Sequence, residues 1–85
     1  MTHFASKAFW ESYDALPEHI QELADRNFAL LRSDPSHSSL HFKRVGQYRS
    51  ARVGRVFRTL AVEIDDGLLW FWIGHHSEYE RLIGR

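Results

Sequence analysis

The residues able to do chemistry crowd into the second half of this chain. From Tyr48 to Tyr79 it reads YRSARVGRVFRTLAVEIDDGLLWFWIGHHSEY. Arg52 and Arg58 punctuate two apolar runs. By strand alternation Arg58 shares a face with Val56, Leu60 and Val62. A guanidinium on an apolar strand face needs a partner or an open concavity. Two readings fit that requirement. One is a structural arginine bonded to Glu63, Glu78 or Glu80. The other is a guanidinium held at a phosphate, whose oxygens suit its planar fork. Whether Arg52 shares the face of Arg58 depends on the register of the intervening turn, which alternation alone leaves open.

His75 and His76 follow the last apolar run. The end of a core strand is rigid, so a side chain there is well aimed, and an imidazole exchanges protons near neutral pH. Adjacent residues of an extended chain point apart, so one of the two is expected to face a site; the bland alternative is a pair of exposed turn residues. Tyr79, at the start of a final helix, either packs on the sheet or stacks on a base and orients a phosphate. Glu78 is another candidate general base, with favouring the helix N-terminus as the preferred reading. His37 and His41 lie four apart but flank a loop with no nearby carboxylate, so no metal site is expected. Trp70 and Trp72 read as core.

The net charge is zero, yet the charges are segregated. Pro35 to Val62 contains no acid but holds Lys43, Arg44, Arg49, Arg52, Arg55 and Arg58. A basic middle of this kind is where a polyanion is met. Lys43, Arg44, Arg49 and Arg55 are therefore candidate nucleic-acid contacts, with a solvated, aggregation-resistant edge strand as the alternative.

The elements that must position these side chains follow from the pattern. Ser6 caps a helix running to about Ala15, with Phe9, Trp10, Tyr13 and Leu16 on one stripe. Pro17 suits the first turn of a second helix that ends near Ser33, before Pro35. Leu40–Val45 reads as a short edge strand, Tyr48–Val53 and Val56–Ile64 as the next two. Asp65-Asp66-Gly67 marks a hairpin. Leu68–Ile73, apolar on both faces, reads as a covered central strand. Ser77-Glu78-Tyr79-Glu80 fits a capping box opening a short helix with Leu82 and Ile83 inward. The expected fold class is α+β, a single domain over residues 1–85. Two N-terminal helices pack on an antiparallel sheet of about four strands, and a short C-terminal helix follows.

Eighty-five residues bury one modest core. The absence of cysteine excludes disulfides and thiolate metal sites. No apolar run approaches a membrane span and Met1–Trp10 lacks a signal-peptide core, so a cytoplasmic protein without membrane attachment is expected.

Taken together, ALPEHIQELADRNFALL, the Pro-containing loop before LHFKRVG, the YRSARVGRVFR hairpin and the WFWIGHHSEYERLI end resemble the RelE/ParE superfamily of toxins from type II toxin–antitoxin modules. The most specific part is ARVG with Phe57-Arg58, followed by W-x-W-I-G leading to His76-x-Glu78-Tyr79. The resemblance implies a bacterial, ribosome-dependent mRNA endonuclease that works without a metal or other cofactor. In that chemistry the RNA 2′-hydroxyl attacks the adjacent phosphate. It implies catalytic roles for Arg52 and Arg58 at the phosphate, for His76 as acid or base, and for Tyr79 as a stacking or orienting aromatic. Lys43, Arg44, Arg49 and Arg55 would bind RNA. The implied partners are a cognate antitoxin, the ribosome and mRNA, with the chain a monomer or part of a toxin–antitoxin hetero-oligomer. A gyrase-directed, ParE-like toxin and a non-catalytic binding module of the same fold are the alternatives. Two features depart from the pattern: His75 stands where a small Ser or Thr is expected, and the chain is neutral rather than basic.

Overall fold

The computed structural model describes residues 2–84. The chain runs β1 (Thr2–Ala5), α1 (Lys7–Asp14), α2 (Glu18–Ser33), a 3₁₀ turn (Ser38–Leu40), β2 (Lys43–Val45), β3 (Tyr48–Val53), β4 (Phe57–Ile64), β5 (Gly67–His75) and α3 (His76–Leu82). The strands form one sheet in the order β1-β5-β4-β3-β2. The α+β class and the two N-terminal helices are as expected. The sheet has five strands rather than about four, because Thr2–Ala5 pairs in parallel with β5 at its edge.

Local chemistry sets the boundaries. The Ser6 hydroxyl accepts from the Phe9 amide at 3.1 Å, satisfying one of the orphan donors of α1. Pro17 takes the N-cap position of α2, and Glu18 lies in its first turn. Leu40–Val45 is not one strand. Its first residue closes the 3₁₀ turn and is buried, and His41 then turns left-handed before β2 begins at Lys43. The last helix opens two residues earlier than expected, with His75 and not Ser77 at the N-cap, and without a capping box. The Nδ1 of His75 accepts from the Ser77 amide at 3.1 Å and serves as the cap. Tyr79, not Leu82, is its buried residue, and Leu82 is exposed.

The register sorts every strand residue onto one of two faces. On β3 and β4 the pairs Ala51↔Thr59 and Val53↔Phe57 lie on the face covered by α1 and α2. Leu31, Leu40, Ala61, Leu68 and Trp70 join them in one core cluster, and Ala24 and Ile73 in a second. The pairs Tyr48↔Val62, Ser50↔Leu60 and Arg52↔Arg58 take the other face. Val56 is in the turn before β4 and exposed, so it does not continue that face.

A bulge keeps β5 in phase. Leu60 pairs with Trp72 but Ala61 with Trp70, leaving Phe71 as the extra residue. Main-chain groups beside it are satisfied by side chains: Thr59 Oγ1 donates to the Trp72 carbonyl at 2.8 Å, and the Ile73 amide donates to Ser12 Oγ at 3.1 Å. The Trp72 indole then lies along Gly74, where a Cβ would come within 2.5 Å of the ring. Gly74 faces Arg58 across the ladder, so the position opposite this arginine has no room for a side chain.

Candidate functional site

Arg52 and Arg58 oppose each other directly across β3 and β4. The register that the sequence leaves open thus places both guanidinium groups on the face away from α1 and α2. With Lys43 from β2 they line a cavity of about 330 Å³, completed by His41, Val45, Ser50, Tyr79, Glu80 and Ile83.

The elements that hold these groups are well braced. The side-chain amide of Asn27 on α2 donates to the Arg52 carbonyl at 3.2 Å, fixing the end of β3. Arg58 Nη1 donates to the carbonyls of Phe57 (2.8 Å) and Arg55 (3.4 Å), which hold the guanidinium over its own strand. Tyr79 is 8% exposed, and its phenol oxygen accepts from the Ser50 hydroxyl at 3.0 Å. That bond ties α3 to the centre of β3. It also leaves the phenolic proton free to be donated.

Neither arginine has a carboxylate partner among the described residues; the two ion pairs there both involve Glu63. Arg52 Nε is buried without a hydrogen-bond partner, and Arg52 Nη1 contacts the ring of His41, 3.1 Å from Nε2. Burial, and then the charge of Arg52, lower the pKa of Arg58; Tyr79 and then Glu80 oppose this. Two facing cations with no carboxylate in ion-pair contact form a site for an anion with several oxygens. The structural reading of Arg52 and Arg58, as partners of Glu63, Glu78 or Glu80, is not what the fold shows.

The other candidates divide. Lys43 joins the arginines. Arg44 and Arg49 pair with each other across β2 and β3, on the opposite face from Lys43 and Arg52. Both guanidinium groups bind Glu63, Arg49 through Nε at 2.9 Å. Arg49 also lies 5.6 Å from the Phe42 ring centroid. Arg55 is in the exposed turn before β4. His76 does not line the cavity. Its ring stacks on His75 at 4.6 Å, and His75 meets the edge of Phe57, which belongs to the helix-covered core. Arg52, Arg58 and Tyr79 thus share one cavity lining, to which His76 does not belong.

Sequence reasoning passed over His41 as a member of this cavity. His41 was weighed only as a metal ligand beside His37. In the fold His37 caps the 3₁₀ turn instead, accepting from the Ser39 amide. His41 adopts φ 46° and ψ 41°, the one non-glycine residue with positive φ among those described. Such a conformation costs of order 1–3 kcal/mol and persists where the surroundings over-determine it. Histidine is enriched among non-glycine residues in the left-handed region, but that preference is too weak to single out His41 from the six histidines of the chain.

A second cavity, of about 340 Å³, opens between the helices and the sheet. Its lining is largely apolar, with Phe4, Trp10 and Phe28 exposed around it. Among the described residues no cluster of three or more His, Cys, Asp or Glu is placed to hold a metal ion, and no helix is long and apolar enough to cross a membrane.

No family model matches the chain, and no curated protein matches it in sequence. Solved structures do match in shape. A RelB–RelE antitoxin–toxin complex from Methanococcus jannaschii aligns with a TM-score of 0.71 at 17% identity, over 93% of this chain and 96% of that one. The isolated RelE toxin of E. coli aligns at 0.62 and 11% identity, over 95% and 96%. The RelBE2 toxin–antitoxin complex from Mycobacterium tuberculosis aligns at 0.61 and 22% identity, over 87% and 95%. The chain has the fold of RelE toxins.

Proposed function

We propose that this protein is the toxin of a toxin–antitoxin module and cleaves RNA, its substrate being message held in the ribosome. The observation that carries this reading is the opposed pair Arg52 and Arg58, unneutralised and facing an open cavity with Lys43 and Tyr79. In the proposed reaction the guanidinium groups hold the scissile phosphate. They stabilise the charge that develops when a neighbouring 2′-hydroxyl attacks phosphorus. Tyr79, locked by Ser50, orients the sugar or phosphate. Lys43 holds an adjoining phosphate. The likeness to RelE toxins supports the reading at the level of fold.

An antitoxin is the proposed partner, and the apolar cleft between the helices and the sheet is the surface for it. Trp10 is 51% exposed there, and a large aromatic of this kind suits the anchor of a docked segment. Two of the similar structures are antitoxin–toxin complexes. The test is primer extension on a reporter message after induction, wild type beside Arg58→Ala. Cleavage by wild type alone supports the reading. Toxicity with intact message, together with inhibited supercoiling, would favour the gyrase-directed alternative.

A further inference from the structure

We infer that His41 is the proton-accepting residue of the basic cavity, and that Arg52 guards it until a phosphate arrives. The inference rests on the reading of the cavity as a site that cleaves phosphodiesters, and adds the base which that reading lacks.

Three observations converge. First, His41 is the one imidazole lining the cavity that also holds Arg52, Arg58, Tyr79 and Lys43. Second, its backbone is left-handed and follows a 3₁₀ turn whose last residue, Leu40, is 1% exposed. That buried leucine anchors a turn which delivers the imidazole to the end of β3. Third, Arg52 Nη1 lies 3.1 Å from His41 Nε2. The same Nη1 lies 3.5 Å from Nδ1, so the guanidinium rests against the imidazole ring.

The same guanidinium carries a buried Nε with no partner. An arginine so poorly satisfied gains more from a bidentate phosphate than from one imidazole contact. When a phosphate binds, Arg52 turns to its oxygens and leaves the imidazole free beside them. His41 then takes the proton of the 2′-hydroxyl. The 2′-oxygen forms its bond to phosphorus, and the bond from phosphorus to the 5′-oxygen breaks. The departing 5′-oxygen takes a proton from solvent, leaving a 2′,3′-cyclic phosphate and a 5′-hydroxyl. His41 later returns its proton to water. The charged and titratable groups facing His41 are Lys43 from β2, Arg52 from β3, Arg58 from β4, and Tyr79 and Glu80 from α3.

The test uses the purified full chain and ribosome-bound message, with cleavage followed across the range in which histidine titrates, about pH 5 to 8. His41→Gly keeps the left-handed backbone and removes the ring; His41→Asn also tolerates that conformation and does not titrate. Both are expected to fold, which thermal melts check, and to cleave about a hundredfold more slowly. Both should lose the acidic limb of the wild-type pH profile, and free imidazole should restore His41→Gly. Cleavage by both variants within a few-fold of wild type overturns the inference and leaves the proposed function standing. A slow His41→Gly that imidazole does not rescue, with the wild-type pH limb retained, also overturns it and reduces His41 to a positioning residue for Arg52. A wild-type chain that cleaves nothing fails the proposed function itself.

Discussion

Arg52 and Arg58 are directly opposed across an antiparallel register, so two like charges sit in the position where cross-strand side chains interact most. A sheet gains nothing from such a pair. Its retention on the open face, with no carboxylate bound to either residue, makes sense for an anion yet to arrive. Arg58→Ala should therefore lower cleavage by about a hundredfold or more, as loss of a transition-state donor does. It should leave folding stability unchanged or a few tenths of a kcal/mol higher, since the repulsion goes with it. Inorganic phosphate should raise the melting temperature of wild type and not of the variant. A melt lowered by many degrees in Arg58→Ala would instead show a structural arginine.

His76 gives the opposite expectation. It lies at the strand end the sequence marks, but its ring stacks on His75 and stays outside the cavity. His76→Ala should cleave within a few-fold of wild type. A hundredfold loss with an unchanged melt would put His76 back at the reacting atoms.

The Ser50–Tyr79 bond joins two buried hydroxyls, and its energetics are asymmetric. Tyr79→Phe strands the Ser50 hydroxyl, and an unsatisfied buried group costs about 1–3 kcal/mol. For a domain of this size each kcal/mol lowers the melting temperature by about 4–8 °C. Adding Ser50→Ala removes the stranded donor, so the double variant should melt above Tyr79→Phe alone. Cleavage should stay impaired in both, because the phenol is missing from the cavity. Strict additivity in the double-mutant cycle would mean that the bond does not couple α3 to β3.

Glu63 separates Arg44 and Arg49 from the basic cavity. Its carboxyl is held below the usual range, first by the Arg49 hydrogen bond and then by the charges of Arg44 and Arg49. A depressed carboxylate contributes its interaction above the unfolded value and loses it as pH falls through the lower folded value. The clamp therefore holds at neutral pH and releases only in acid. Glu63→Gln should release both arginines at neutral pH. RNA affinity should rise, and the plot of log affinity against log salt should steepen by up to about 1.4, two cations each adding about 0.7 when fully engaged on a single strand. An unchanged slope would show that these arginines lie too far from the bound RNA to matter.

The fold was legible where periodicity is strong. The stripe Phe9, Trp10, Tyr13, Leu16 and the cap Ser6 mark α1 within a residue, and the hairpin at Asp65–Gly67 is where its turn chemistry places it. The site was legible in its residue types and not in its sides. Arg44 and Arg52 look alike in a linear reading. A difference in strand parity sends one to Glu63 and the other to the cavity. The bulge at Phe71 shows why such parity resists prediction: one extra residue reverses every side chain beyond it. His41 was missed for another reason. Its position depends on a buried Leu40 and a left-handed turn, neither of which leaves a local signature.

The parallel strand β1 was the least legible element, and Gly67 shows what it requires. Four residues, Thr2–Ala5, pair with Gly67–Trp70. They are too few to hold an edge strand by apolar burial alone. Contacts along β5 help: the Trp70 indole nitrogen donates to His3 Nδ1 at 3.0 Å, and the Ser6 amide donates to the Trp70 carbonyl at 2.9 Å. At the start of the ladder Gly67 has φ +151°, and a Cβ there would sit 2.0 Å from the Thr2 carbonyl oxygen. Main-chain atoms cannot give way to that extent, so Gly67→Ala must push the beginning of β1 off the sheet. Hydrogen exchange should show lost protection confined to the β1–β5 ladder, with the amides of β3 and β4 unchanged. The Arg52–Arg58 cavity lies at the far end of β4 and β5 from Gly67, as the pairs Ile64↔Gly67 and Arg58↔Gly74 show. Cleavage by Gly67→Ala should accordingly stay within a few-fold of wild type. Uniform loss of protection across all five strands would mean that β1 is integral to the core rather than an added edge.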